Sequence, residues 1–234
     1  NENNIGAFIN IGGNGTIKQT RLISQYVGNN LQVAAAPKTV DNDLGDYACK
    51  DVLFTPGFPS CVNHWLKIMQ LLNIESLGGC SHDKVIVAQT FGRDTGFIAG
   101  SVRVIDPYRE LPLLILLPED PQSLDKIFSA VDELVLKHGR AIIVMSEGYP
   151  IGDVGEIKDV TGQTMYGACN TTAAQLLTDY LNMMGIQSRS YIPTVLQRQD
   201  MQNTLNFDRD IAECQGRDIV KRMDEGESSF LSSV

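Results

Sequence analysis

Short β-favouring runs that stay apolar at nearly every position, instead of at every other one, constrain this chain more than any other feature. Lys84 to Thr90, Leu113 to Leu117 and Arg140 to Met145 read this way, and Ile5 to Ile11, Leu31 to Ala36 and Gln187 to Ile192 are further β-rich runs. A strand that is apolar on both faces must be covered on both faces, which is the habit of parallel sheets flanked by helices. Segments of helical length lie between the runs, at 16–27, 62–73, 124–138, 170–185 and 206–223. In one of them Val62, Trp65, Ile68, Met69 and Leu72 share a face; in another Leu124, Ile127, Phe128, Val131, Leu134 and Val135 do, and both stripes read as core. The expected fold is α/β and doubly wound, with mostly parallel sheets and helices on both faces.

Four of the runs lead straight into polar clusters: Gly12 to Gly15, Pro37 to Asp43, Phe91 to Gly96, and Ser146-Glu147-Gly148. Open parallel sheets take their ligands beyond the carboxyl ends of their strands, so the clusters are expected to converge on one edge. Gly12-Gly13-Asn14-Gly15 joins a strand to a helix and reads either as a phosphate loop or as a plain βα turn capped by Thr16. Pro37-Lys38-Thr39-Val40-Asp41-Asn42-Asp43 crowds an ammonium, a hydroxyl and two carboxylates together. In an extended segment Asp41 and Asp43 point to one side, so one can hold a cation while the other accepts a hydroxyl proton; an acidic solvated turn is the alternative. Arg93 reads as a phosphate clamp or a surface ion pair, and Glu147 as a ligand of a sugar hydroxyl or an exposed turn residue.

Composition removes several classes. The net charge of −9 and the lack of a basic stripe disfavour a nucleic-acid partner, and no apolar run approaches the length of a membrane span. Five cysteines, Cys49, Cys61, Cys80, Cys169 and Cys214, form no paired motif, which fits a reducing compartment and a cytoplasmic location. Cys80, His82 and Asp83 lack a second ligand pair for a metal site, and His64 and His138 read as structural.

Taken together and in this order, the glycine cluster at 12–16, Pro37 to Asp43, Phe91-Gly92-Arg93, Ser146-Glu147-Gly148, Gln197-Arg198 and Asp208-Arg209 resemble the phosphofructokinase family. The resemblance spans essentially the whole chain and implies Mg²⁺-assisted phosphoryl transfer to the C1 hydroxyl of fructose 6-phosphate. By motif, Asp41 would be the general base, with Lys38, Thr39 and Arg93 acting at the transferred group. Asp43, Phe91, Gly92, Glu147 and Arg198 would bind substrate, and Gly12, Gly13, Asn14 and Gly15 the donor phosphates. Asn14 and Asp43 would meet the metal. Lys84 and Arg189 align with basic positions that the family reaches across a subunit interface, implying a homodimer or homotetramer. Residues 1–80, with 199–234 returning to them, are expected to form the remainder of a donor-binding lobe, and 81–198 a sugar-phosphate lobe.

Lys38 is typical of pyrophosphate users in the family, whereas Gly15 leaves room for the α-phosphate of ATP; pyrophosphate is the expected donor and ATP the alternative. Asn14 stands where an aspartate is commonest, Gln199-Asp200 replaces a familiar glycine pair, and Phe91 replaces a common methionine. The chain begins at Asn1 without the donor-loop units that usually come first, so a truncated, poorly active form is expected. Two rivals differ in class: a noncatalytic sugar-phosphate-binding subunit, and the NAD or lipid kinases, which lack the 37–43 pattern.

Overall fold

The computed structural model describes residues 5–45, 54–160 and 162–233. The chain divides into two compact units, one formed by the segments up to 60 and from 204 onward, the other by 61–203.

In the first unit, β1 (Ala7–Gly12) and β2 (Gln32–Pro37) pair in parallel, and β7 (Phe230–Leu231) joins the far side of β2, also in parallel. Helix α1 (Asn14–Val27) and helix α6 (Asn206–Asp224) sandwich β2. Ala34 and Ala36 pack with Ile219 and Met223 of α6, while Val33 and Ala35 line a small cavity with Ile17 and Thr20 of α1. Alanines on β2 let both helices approach the sheet closely. β1 is not covered on both faces. It is an edge strand that alternates, leaving Ile9 and Ile11 exposed.

The second unit holds a parallel sheet in the order β4-β5-β3-β6, with β3 Val85–Thr90, β4 Leu113–Leu116, β5 Ala141–Ser146 and β6 Ser188–Tyr191. Every residue of β3 and β5 is buried. Val85, Val87, Ala141, Ile143 and Met145 form one cluster with Ile127 and Val131 of α4 (Leu124–His138) and Leu177 and Leu181 of α5 (Ala173–Met183). The alternating residues Ile86, Ala88, Ile142 and Val144 are equally buried on the other face. α4 begins at a serine cap, Ser123 accepting from Lys126 N–H, and ends at Gly139 in the left-handed region, the usual start and stop chemistry.

Three elements differ from the sequence reading. α2 runs Phe58–Gly79, longer at both ends than expected, and α3 (Phe97–Ser101) and β7 were not anticipated. The unit boundary falls at 60 and 203 where the sequence suggested 80 and 198. The reason is local: Asn63, His64 and Trp65 of α2 bond to Asn203, Asp200 and Gln197, which draws most of the helix into the second unit.

Ile143→Ala would remove a fully buried side chain from the centre of this sheet and should cost about 2–5 kcal/mol. Urea denaturation should show a lower midpoint with an unchanged slope.

Candidate active site

In the first unit the parallel register places Gly12 opposite Pro37, so the glycine loop and the 37–43 loop leave neighbouring strands side by side. Lys38 N–H donates to Gly12 O (2.9 Å). Gly12 admits no side chain, because a Cβ would lie 2.2 Å from Thr16 Oγ1. Gly13, not Thr16, occupies the N-cap of α1; no side chain caps that end and its first turn carries no acid. The helix dipole and its free N–H groups there suit an anion.

The 37–43 loop is built on itself. Thr39 Oγ1 donates to Asp41 Oδ2 (2.9 Å) and accepts from Asp41 N–H (3.2 Å), which orients the carboxylate. Asn42 adopts a left-handed backbone (φ 55°), and its buried side-chain oxygen accepts from Thr55 N–H (2.9 Å) and Thr55 Oγ1 (3.1 Å). Thr55 Oγ1 also lies 2.7 Å from Thr39 O. Asn14 Nδ2 donates to Asp43 Oδ2 at 2.6 Å, so the two residues expected at a metal do meet. Lys38 is exposed, and Asp41 and Asp43 are half-buried. This is not an acidic turn dissolved in water.

In the second unit β3 connects past β5 to β4, while β5 connects past β3 to β6. The chain therefore leaves these adjacent strands in opposite directions, the arrangement that opens a ligand crevice at their carboxyl ends. The loops after them are bonded together there. Glu147 N–H donates to Thr90 O (2.9 Å), Gly148 N–H to Arg93 O (3.0 Å) and Ser146 Oγ to Arg93 O (2.7 Å). A Cβ on Gly148 would stand 2.2 Å from that same carbonyl. Arg93 itself is left-handed (φ 51°), and its Nη1 lies 3.5 Å from Thr164 O. Glu147 is buried, not an exposed turn residue. The Arg198 guanidinium sits over the Phe91 ring, 5.4 Å from its centroid.

Phe91, Gly92, Arg93, Glu147 and Arg198 thus gather around one strand-end cluster, and Gly12 to Gly15 with Lys38, Thr39, Asp41 and Asp43 around another. Lys84 and Arg189 do not join either. Lys84 precedes β3, at the end opposite Phe91, and Arg189 pairs in register with Ile86 near that same end. Arg189 is taken up by Glu75 (2.7 Å) and Asp83 (3.6 Å).

Three residues that bond to the cluster loops or to α2 were given no role of their own in the sequence reading. Gln197 Oε1 accepts from both Trp65 Nε1 and Phe91 N–H, each at 2.8 Å. Tyr166 donates to Asp94 Oδ1 (2.8 Å). Asp208, noted only as part of a motif, caps α2 through Gly57 N–H and Ser60 N–H, both at 2.7 Å. No local pattern announces such long-range partners. Among the described residues no cluster of three or more His, Cys, Asp or Glu side chains could hold a metal ion, and no helix is long and apolar enough to cross a membrane.

Parallel sheets flanked by helices, with glycine turns and a helix terminus that no side chain caps at their strand ends, define an α/β protein. The chain belongs to the phosphofructokinase family, whose profile, Phosphofructokinase, matches residues 1–223. It is 30% identical to ATP-dependent 6-phosphofructokinase 3 of Streptomyces coelicolor, over 98% of this chain and 63% of that protein. It is 26% identical to the sulfofructose kinase of Alkalicoccus urumqiensis, over 100% of this chain and 60% of that one. The solved pyrophosphate-dependent phosphofructokinase of Nitrosospira multiformis superposes with a TM-score of 0.73 at 26% identity, over 97% of this chain and 54% of that one. The chain therefore spans roughly half to three-fifths of the length of these relatives.

Burial first, then Asp94, Glu147 and Glu156, pushes the Tyr166 phenol well above its ordinary value of 10.0. The folded state thus keeps a proton that the unfolded chain releases, and stability falls as pH rises above 10. Tyr166→Phe should flatten that alkaline loss in urea midpoints measured against pH, while forfeiting the bond to Asp94 at neutral pH.

Proposed function

We propose that the protein transfers a phosphoryl group from pyrophosphate to the C1 hydroxyl of fructose 6-phosphate. The observation that carries this reading is the self-bonded 37–43 loop, in which Thr39 orients the Asp41 carboxylate while Asn14 engages Asp43. Phosphoryl transfer asks a protein chiefly for positioning and charge neutralisation, and this loop supplies both beside the α1 N-terminus.

In this reading Asp41 accepts the proton of the attacking hydroxyl, so that the C1 oxygen forms a bond to phosphorus as the bond to the leaving phosphate breaks. Lys38, Thr39 and Arg93 offset charge on the transferred group. Gly12, Gly13, Asn14 and Gly15 receive the donor phosphates. Arg198 and Glu147, with Phe91 and Gly92, hold the sugar phosphate. The first unit carries the donor and base functions and the second the acceptor function. Lys84 lies remote from its own unit's crevice loops and is the residue this reading would offer to another copy of the chain, in a homodimer or homotetramer; Arg189, paired with Glu75 and Asp83, would have to exchange those partners to join it. The four described cysteines are free, which supports a cytoplasmic setting.

Asn14 and Asp43 fit Mg²⁺: one carboxylate and one carboxamide are hard oxygen ligands, few enough to leave most positions to water and phosphate, as this ion prefers. Bound there, Mg²⁺ would screen the charge of the donor phosphates. Without it, the Asn14 amide N–H neutralises part of the Asp43 charge.

Pyrophosphate is favoured by the Lys38 ammonium, which can match its compact charge; relatives carry both donor names, and Gly15 leaves ATP as the alternative. A coupled assay of the purified protein with fructose 6-phosphate and Mg²⁺, run with each donor, decides between them. Sulfofructose tests the acceptor in the same format. Asp41→Ser should lower turnover by about 10²–10⁴-fold with sugar-phosphate affinity nearly unchanged; near-normal turnover would remove Asp41 as the base. Binding of fructose 6-phosphate without transfer to either donor would favour a noncatalytic subunit.

A further inference from the structure

The segment that carries Gln197 and Arg198 follows β6 but has no sheet to hold it. It consists of two short 3₁₀ turns, Thr194–Arg198 and Met201–Asn203. Besides the bond from Phe91 N–H to Gln197 Oε1, one stretch of α2 holds it. Asn63 Nδ2 donates to Asn203 O (3.0 Å), Lys67 Nζ donates to Asn203 Oδ1, and Trp65 Nε1 donates to Gln197 Oε1 (2.8 Å). His64 Nδ1 lies 2.7 Å from Asp200 Oδ2.

The His64–Asp200 contact differs from the rest in being ionisable on both sides and largely withdrawn from water, with side-chain exposures of 7% and 23%. Asp200 also accepts from Asn203 Nδ2 and from Gln202 N–H (3.2 Å). One carboxylate therefore closes the second turn and ties it to the helix. The hydrogen bond from His64 is the foremost cause holding the Asp200 carboxyl below its ordinary value. His64 Nε2 is buried and has no hydrogen-bond partner among the described residues. A buried ring nitrogen left this way is costly, and the Nδ1 contact offsets that cost. The ring also stands edge-on to Trp65, 6.2 Å between centroids.

We propose that His64 and Asp200 are positioning residues: their clasp fixes the two-turn segment that carries Gln197 and Arg198, so that Arg198 is presented to the acceptor's anionic group in one orientation. The inference rests on the reading of Arg198 given above. The route is short. Gln197 bonds the Phe91 backbone, and Phe91 is the ring over which Arg198 lies. A long, exposed side chain loses less freedom on binding when its backbone and its stacking partner are already set. Neither His64 nor Asp200 touches the acceptor in this scheme.

The chain has one tryptophan, so its indole N–H gives a single NMR resonance that reports directly on the bond to Gln197. Asp200→Ala and His64→Phe should each displace that resonance, speed its exchange with solvent by about tenfold or more, and weaken fructose 6-phosphate binding by about tenfold. Asp200→Asn keeps an oxygen that can accept from Nδ1–H, and it should restore the resonance and most of the affinity. An indole signal unchanged in both disruptive variants would overturn the proposal, whatever happens to affinity, and so would failure of Asp200→Asn to restore it. If the unaltered protein binds no fructose 6-phosphate while the indole responds as expected, the acceptor reading fails and the clasp on Gln197 stands.

Discussion

In-register parallel pairing is the constraint from which both candidate clusters follow. β3 and β5 are matched from Val85 with Ala141 to Thr90 with Ser146, so both strands finish at one level and their following residues must meet. The Arg93 carbonyl then becomes a shared acceptor for Gly148 N–H and Ser146 Oγ. The same rule operates in the other sheet, where the pairing of Gly12 with Pro37 sets the glycine loop beside Lys38 and Thr39. Backbone pairing is insensitive to most side chains. The strand-end loops can therefore carry unusual chemistry while the sheets beneath them consist of ordinary valine, isoleucine and alanine.

Those loops also carry backbone strain. Asn42, Arg93 and Thr194 have φ values of 55°, 51° and 48°, in a region that side-chain-bearing residues avoid and that a β-branched residue such as threonine avoids most. Each lies in, or leads into, one of the polar segments singled out by the sequence. Such conformations cost of order 1–3 kcal/mol apiece and survive only where neighbours over-determine them. Asn42 is secured by Thr55, and Arg93 by the bonds to its carbonyl oxygen. Thr194 opens the segment that Gln197 and Asp200 anchor to α2. Arg109 and Ser229 are also left-handed among the described residues (φ 57° and 65°), so the strain is shared between these polar segments and ordinary turns.

Much of this was legible in the sequence because it depends on local pattern. Uninterrupted apolar runs located β3, β4 and β5 of the second sheet within a residue or two, and the spacing of Asp41 and Asp43 singled out a loop that does fold onto its neighbours. What stayed hidden depends on partners far away in the chain. β7 has two residues and exists because Ser229 N–H and Ser232 N–H bond the carbonyls of Val33 and Ala35. α3 is five residues long, too short to show a period. His64 read as a lone structural histidine, since nothing near it in sequence announces Asp200. The extent of α2 was missed because its amino end is capped by Asp208, a residue of another helix.

The overall charge of −9 is unfavourable for a protein proposed to bind two polyanions, and the resolution lies in distance. At physiological ionic strength, charges more than about 8 Å apart in solvent are largely screened, so surface acids on the helices contribute little at a strand-end loop. The local sign is decided by the uncapped α1 terminus and Lys38 in one unit, and by Arg93 and Arg198 in the other. The acids of the 37–43 loop are already engaged: Asp43 by Asn14 and Asp41 by Thr39. Paired in this way, the carboxylates repel an incoming phosphate less than their formal charge suggests, and they remain able to take up a proton or a cation when the ligand arrives.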